Sequence, residues 1–157
     1  MNAPLSPGLY IVATPIGNLG DITLRAIETL RGVSAVACED TRVTGKLLNH
    51  LGIKAKMIRY DDHASDATRD HVLDLAAQGP VALTSDAGTP LISDPGYKLV
   101  RAVGEAGHTV TVLPGASAIL AALSIAGLPT DRFFFEGFLP AKQAARQKRI
   151  AALANIP

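Results

Sequence analysis

The 157-residue sequence has one cysteine, no tryptophan, seven other aromatic residues and few charges, and each scarcity excludes something. A lone cysteine cannot close an intrachain disulfide. Cys38 follows the apolar run Ala35-Val36-Ala37, so a buried, reduced thiol is expected and no metal centre. No apolar run approaches the roughly 20 residues that cross a bilayer, and residues 1–7 have neither the basic start nor the apolar stretch of a secretion signal. A soluble, cytoplasmic protein with no membrane partner is predicted. Charged residues make up 18% against 48% apolar, the balance of a folded, core-rich chain and not of a disordered one.

Acidic charge is missing from one end. Residues 142–157 hold Lys142, Arg146, Lys148 and Arg149 with no acid, whereas residues 1–141 hold 11 basic and 14 acidic residues, so a formal charge of +1 divides into −3 and +4. All four phenylalanines (Phe133, Phe134, Phe135, Phe138) lie just before that basic segment and just after the turn-rich Gly127-Leu128-Pro129-Thr130-Asp131. This shift predicts an N-terminal α/β domain over residues 1–127. Residues 128–157 then form a linker and the truncated start of a second α/β domain, without a partner layer for the phenylalanines. The basic run reads either as a solvated helix face or as a phosphate contact.

Five short apolar runs alternate with helical patterns. Strands are expected at residues 8–13, 33–38, 57–60, 81–83 and 109–113, and helices at about 24–31, 44–50, 66–78, 97–106 and 119–126. Asp21 or Thr23 can cap the first helix, and Gly32, Gly52, Gly79-Pro80 and Gly107 stand at stop positions. Alternation at this spacing predicts a parallel sheet of βαβ units with helices on both faces, and ligands at the carboxyl ends of its strands.

The loop over residues 84–96 dominates that edge, because it holds Ser-Asp-x-Gly twice, as Ser85-Asp86-Ala87-Gly88 and Ser93-Asp94-Pro95-Gly96. Asp86 follows a buried-type run, where an acid must bond either local amides or a ligand. Asp94 with Pro95 reads as an N-cap with proline at the first helical position, which leaves the first repeat as the ligand-facing half. Glu39-Asp40-Thr41-Arg42 puts two acids and an arginine after the second strand, as a local ion pair or helix cap or as an active site. Gly17-x-x-Gly20 with Glu39 imitates a dinucleotide fingerprint, but Pro15 stands where its first glycine belongs.

Taken in order, Thr14-Pro15-Ile16-Gly17-Asn18-Leu19-Gly20-Asp21-Ile22-Thr23, Glu39-Asp40-Thr41-Arg42, residues 85–96 and Pro114-Gly115-Ala116-Ser117-Ala118 resemble the tetrapyrrole methylase superfamily. Within it they are most similar to the branch that methylates small-subunit ribosomal RNA, whose second domain begins like Phe135-Glu136-Gly137-Phe138-Leu139-Pro140. The resemblance implies S-adenosyl-L-methionine bound between two α/β domains, methylation of a cytidine ribose 2′-hydroxyl in the decoding region of 16S ribosomal RNA, and a homodimer. Carried over by motif, the cofactor contacts are Pro15, Leu19, Ser85, Asp86, Gly88, Thr89, Ser117 and Ala118. Where the family has a His-Glu-His-Asn type stretch, this chain has Asp61-Asp62-His63-Ala64 and keeps only the last histidine.

Methyl transfer to a ribose oxygen requires in-line positioning and a group to take the hydroxyl proton. The candidates are Asp40 as base or orienting partner, Arg42 holding a phosphate or that acid, and His63 after them. Two other readings stand beside this one: a relative that methylates a tetrapyrrole precursor, and a non-catalytic nucleotide- or RNA-binding module.

Overall fold

The computed structural model describes residues 4–154 and 156. Five strands, β1 (Gly8–Val12), β2 (Ala35–Cys38), β3 (Met57–Arg59), β4 (Pro80–Thr84) and β5 (Val110–Leu113), form one parallel sheet in the order β3-β2-β4-β1-β5. Helices α1 (Leu24–Gly32), α2 (Thr41–His50), α3 (Asp66–Gln78), α4 (Tyr97–Glu105), α5 (Ala118–Ile125) and α6 (Gln143–Leu153) complete the elements. The α/β class and the parallel sheet are as the alternation predicts.

The central strands β1, β2 and β4 are almost wholly buried because both sheet faces are covered there, while the edge strands β3 and β5 stay partly exposed. Leu9, Ala37, Val81 and Leu83 pack with Val72, Ala76, Leu99 and Val103 of α3 and α4. Val12, Val36, Cys38, Ala82 and Leu113 pack with Ala26, Leu30 and Leu48 of α1 and α2. Full burial of the valine and leucine side chains among them stabilises by roughly 1.5–3 kcal/mol each before ordering costs. Cys38 is fully buried, and burial pushes its thiol above the ordinary range.

Local chemistry sets the ends. The Thr23 hydroxyl caps α1 at the Ala26 amide, and the Ser65 hydroxyl caps α3 at the Thr68 amide. Pro80, read from sequence as a helix stop, is the first residue of β4, and its carbonyl accepts from both the amide and the hydroxyl of Ser34. Helix α2 begins three residues earlier than its apolar pattern suggests, at Thr41, because the Asp40 carboxylate accepts from the Arg42 amide and caps it.

Helix α4 corrects the expectation for Asp94. Its N-cap is Gly96, at φ +125°, with no side-chain cap, and Asp94 lies outside the helix start. A Cβ on Gly96 would sit 2.8 Å from Leu83 Cδ2 and 3.1 Å from Leu91 Cδ2. Only glycine fits there, and Leu91 (φ +79°) and Ser93 (φ +58°) bring further left-handed backbone to the same loop.

The chain divides into two compact units, Met1–Ala121 and Ala122–Pro157. Within the second, Phe133, Phe134, Phe135 and Phe138 are exposed. The basic run is partly compensated there. Both carboxylate oxygens of Glu136 accept from Arg149, and Arg146 donates to the carbonyls of Pro140 and Ala141, so two of its four cations are engaged internally.

Two glycines test this account of the backbone. Gly96→Ala should lower unfolding free energy by about 2 kcal/mol or more, from left-handed strain together with overlap on Leu83. Gly104→Ala, inside α4 with open space around the added methyl, should raise it by roughly 0.5–1 kcal/mol. Urea denaturation of both variants checks the pair; equal effects would contradict it.

Candidate active site

Helices α1 and α2 leave the sheet on one face and α3 and α4 on the other, with β4 seated between β1 and β2. The loop after β4 therefore departs oppositely to the loops on either side of it. This is a topological switch point, where a crevice opens at the carboxyl ends of the strands. Three loops of the first unit are tied together there. Thr14 and Gly88 exchange backbone hydrogen bonds at 2.8 and 3.0 Å, the Thr14 hydroxyl donates to the Ser85 carbonyl at 3.3 Å, and the Thr89 hydroxyl donates to the Ala116 carbonyl at 3.2 Å. Gly88 (φ +84°) sits at the meeting point, where a Cβ would lie 3.4 Å from Ile16 Cγ2 and 3.8 Å from the Ala116 carbonyl oxygen.

The expected cofactor residues occupy this edge in different ways. Pro15 is half-buried and Leu19 exposed, in a loop where the Asn18 side chain accepts from the Gly20 amide. Ser85 is buried, its hydroxyl directed to the Ala87 carbonyl, and Thr89 is half-buried. The Ser117 hydroxyl accepts from the Leu120 amide at the start of α5, and Ala118 is exposed beside it.

On the β2 side the edge is acidic. The Asp40 amide donates to Asp86 Oδ1 at 3.1 Å and joins the end of β2 to the loop after β4, and the nearby Asp86 backbone favours the charged form of Glu39. Asp94 turns into the same cluster, beside the Ser85 hydroxyl, which favours its charged form. Burial pushes the Glu39 and Asp94 carboxyls above the ordinary range; the charges of Asp86 and Asp62 act on both in the same direction. Asp40 goes the other way. Hydrogen bonds from the Arg42 guanidinium, at 2.5–3.1 Å to both oxygens, and from the Arg42 amide hold its carboxyl well below the usual carboxylate range.

A depression of about 290 Å³ opens beside this cluster, lined by Glu39, Asp40, Arg59, Asp61, Asp62, His63 and Asp86. Arg59 Nε donates to Asp61 at 2.8 Å, and the His63 amide donates to the same carboxylate at 2.9 Å. Partial burial alone would raise Asp61, but these two bonds bring it below its ordinary value. The structure thus brings Asp40, His63 and Asp86 to one depression, and Ser85, Gly88, Thr89, Ser117 and Pro15 to the adjoining loop bundle. Sequence reasoning missed Asp94 and Arg59. Signals existed for both: Pro95-Gly96 is a turn dipeptide, and Arg59-Tyr60-Asp61 mirrors Asp40-Thr41-Arg42 in reverse. Among the described residues no cluster of His, Cys, Asp or Glu could hold a metal ion, and no helix is long and apolar enough to cross a membrane.

Fold and site together define a parallel α/β domain with its cleft at the strand carboxyl ends, built from backbone-rich loops and an acidic wall. The Tetrapyrrole (Corrin/Porphyrin) Methylases family model matches residues 8–156, and the chain belongs to that family. It is 62% identical over 153 residues to a protein of Erythrobacter litoralis named ribosomal RNA small subunit methyltransferase I, covering 98% of this chain and 54% of that one. Proteins of the same name from Escherichia coli O157:H7 (53% identical; 95% and 52% covered) and Mesorhizobium japonicum (53%; 98% and 53%) are similar to it to a like degree. The chain spans about half the length of these curated relatives. Among solved structures, uroporphyrin-III-C-methyltransferase of Thermus thermophilus is 25% identical with a TM-score of 0.58, over 80% of this chain and 54% of that one. A conserved hypothetical protein of Aeropyrum pernix K1, 21% identical with a TM-score of 0.66 over 83% of this chain and 46% of that one, shares the fold.

The acidic wall has a pH signature. Because the folded state raises Glu39 and Asp94, it binds protons more tightly than the unfolded chain, and the stability linked to them is present at low pH and lost as pH rises past their raised values. Asp94→Asn keeps the size and polarity of the side chain but removes the charge, so it should raise the melting temperature at pH 7 and leave it little changed at pH 4. Melting curves at the two pH values check this, and a loss of stability at pH 7 would contradict it.

Proposed function

We propose that this chain supplies the N-terminal half of an S-adenosyl-L-methionine-dependent methyltransferase that acts on the ribose 2′-hydroxyl of a cytidine in the decoding region of 16S ribosomal RNA. The observation that carries the reading is the likeness, above 50% identity along nearly the whole chain, to proteins named for small-subunit ribosomal RNA methylation. The uroporphyrin-III-C-methyltransferase likeness, at 25%, is far weaker and speaks against a tetrapyrrole precursor as substrate. The other wall of the cleft, and a homodimeric assembly, belong to the same proposal; the isolated chain is expected to be inactive.

The residues present suit the cofactor. Pro15, Leu19, Gly88, Thr89, Ser117 and Ala118 offer small side chains and backbone at three tied loops, while Ser85 and Asp86 lead into an acidic wall. Carboxyls raised by burial, and further by the charges of Asp86 and Asp62, mark a site where negative charge is costly, and a sulfonium or ammonium group would relieve it. When bound, S-adenosyl-L-methionine supplies an electrophilic methyl group. What the chain's own residues do is hold the ribose in line and remove water and a proton.

For the proton, Glu39 is better matched than Asp40. A carboxyl that burial raises above its ordinary value is a stronger base than one held down by a guanidinium. Asp40 then takes the orienting role, capping α2 and fixing Arg42, and His63 remains a rim residue able to contact the substrate.

Two measurements on the full-length protein test this. Calorimetric titration should register S-adenosylhomocysteine and not NAD; the reverse would sink the cofactor reading. Glu39→Gln should lower kcat by roughly 10²–10⁴-fold with cofactor binding retained. Unchanged turnover would remove Glu39, and a loss confined to Asp40→Asn would return the role of base to Asp40.

A further inference from the structure

Resting on the RNA reading above, we propose that Arg42 and Arg59 form a phosphate clamp at the rim of the acidic depression, gripping the backbone of the strand whose ribose enters it. The depression presents five carboxylates, Glu39, Asp40, Asp61, Asp62 and Asp86, to anything that approaches. A polyanion is repelled by such a wall unless cations at its mouth neutralise the phosphates next to the entering sugar. Arg59, the last residue of β3, lines the depression, and Arg42 stands in the first turn of α2 directly after β2, the strand that pairs with β3. Arg59 is in register with Cys38, two residues before Asp40, so the two arginines stand at neighbouring strand ends, and the charges of both act on Asp40.

Each guanidinium is held by the carboxylate two residues away: Arg42 by both oxygens of Asp40, Arg59 through Nε by Asp61. Their side chains are nevertheless 87% and 73% exposed. Among the described residues, Nη1 of Arg42 and both terminal nitrogens of Arg59 have no hydrogen bond within the protein. Two fixed forks with outward donors match phosphate oxygens, which accept in the geometry that guanidinium presents. The acids that hold them are kept ionised by the same bonds, so the forks stay fixed through neutral pH.

The test uses the full-length protein and a synthetic RNA that copies the 16S decoding region, with affinity measured across a potassium chloride series. Arg59→Ala should weaken RNA binding roughly tenfold. It should also reduce the salt slope by about 0.7, the value of one phosphate contact on a single strand. Affinity for S-adenosylhomocysteine should be unchanged. Arg59→Lys keeps the charge without the fork and should restore the slope while KM for RNA stays raised. An unchanged slope and KM in Arg59→Ala would overturn the clamp and leave the RNA reading standing, as would loss of S-adenosylhomocysteine affinity in Arg59→Ala. Absence of RNA binding by the unsubstituted protein would overturn both.

Discussion

The constraint on which the site depends is the tie between the ends of β2 and β4. The Asp40 amide gives its hydrogen to the Asp86 carboxylate, and the Asp86 backbone lies close enough to Glu39 to favour its charged form. Parallel strands pair along their length, but their loops leave toward opposite faces at a switch point and would splay without such a tie. On the other flank of β4 the Thr14 to Gly88 backbone pair does the same work toward β1. The long loop after β4 is thereby fixed at both sides, and its left-handed residues at Gly88, Leu91, Ser93 and Gly96 are held in place by what surrounds them.

The tie also sorts the acids by chemistry. Asp40 is turned outward to cap α2 and meet Arg42, which keeps it a weak base. Glu39 and Asp94 stay inside, near Asp86, and are raised by burial and by the charges of Asp86 and Asp62. Two adjacent carboxyls, Glu39 and Asp40, are thus driven apart in proton affinity by their surroundings, the condition under which one takes protons and the other positions.

Much of the fold was legible because it rests on local chemistry. Alternation of apolar runs with helical patterns forces a parallel sheet, the apolar surroundings of Cys38 forecast its burial, and Thr23 reads as a cap. The strand order was not legible: five short, largely apolar strands look alike in sequence, and nothing in Pro80-Val81-Ala82-Leu83-Thr84 says that it inserts between β1 and β2. Asp94 was misread because Asp-Pro before a helix has a simple capping meaning, which loses here to the packing of Gly96 against Leu83. The lack of compensating acid around the basic segment was likewise an artefact of counting along the chain, since Glu136 reaches Arg149 across 13 positions.

All of these contacts serve one claim, that the chain is half of an enzyme that methylates a ribose of small-subunit ribosomal RNA. Mass mapping of 16S RNA from cells with and without the full-length protein tests it most directly. The account predicts that one 2′-O-methyl group, on a cytidine of the decoding region, disappears with the protein. An unaltered pattern of ribose methylation would contradict it.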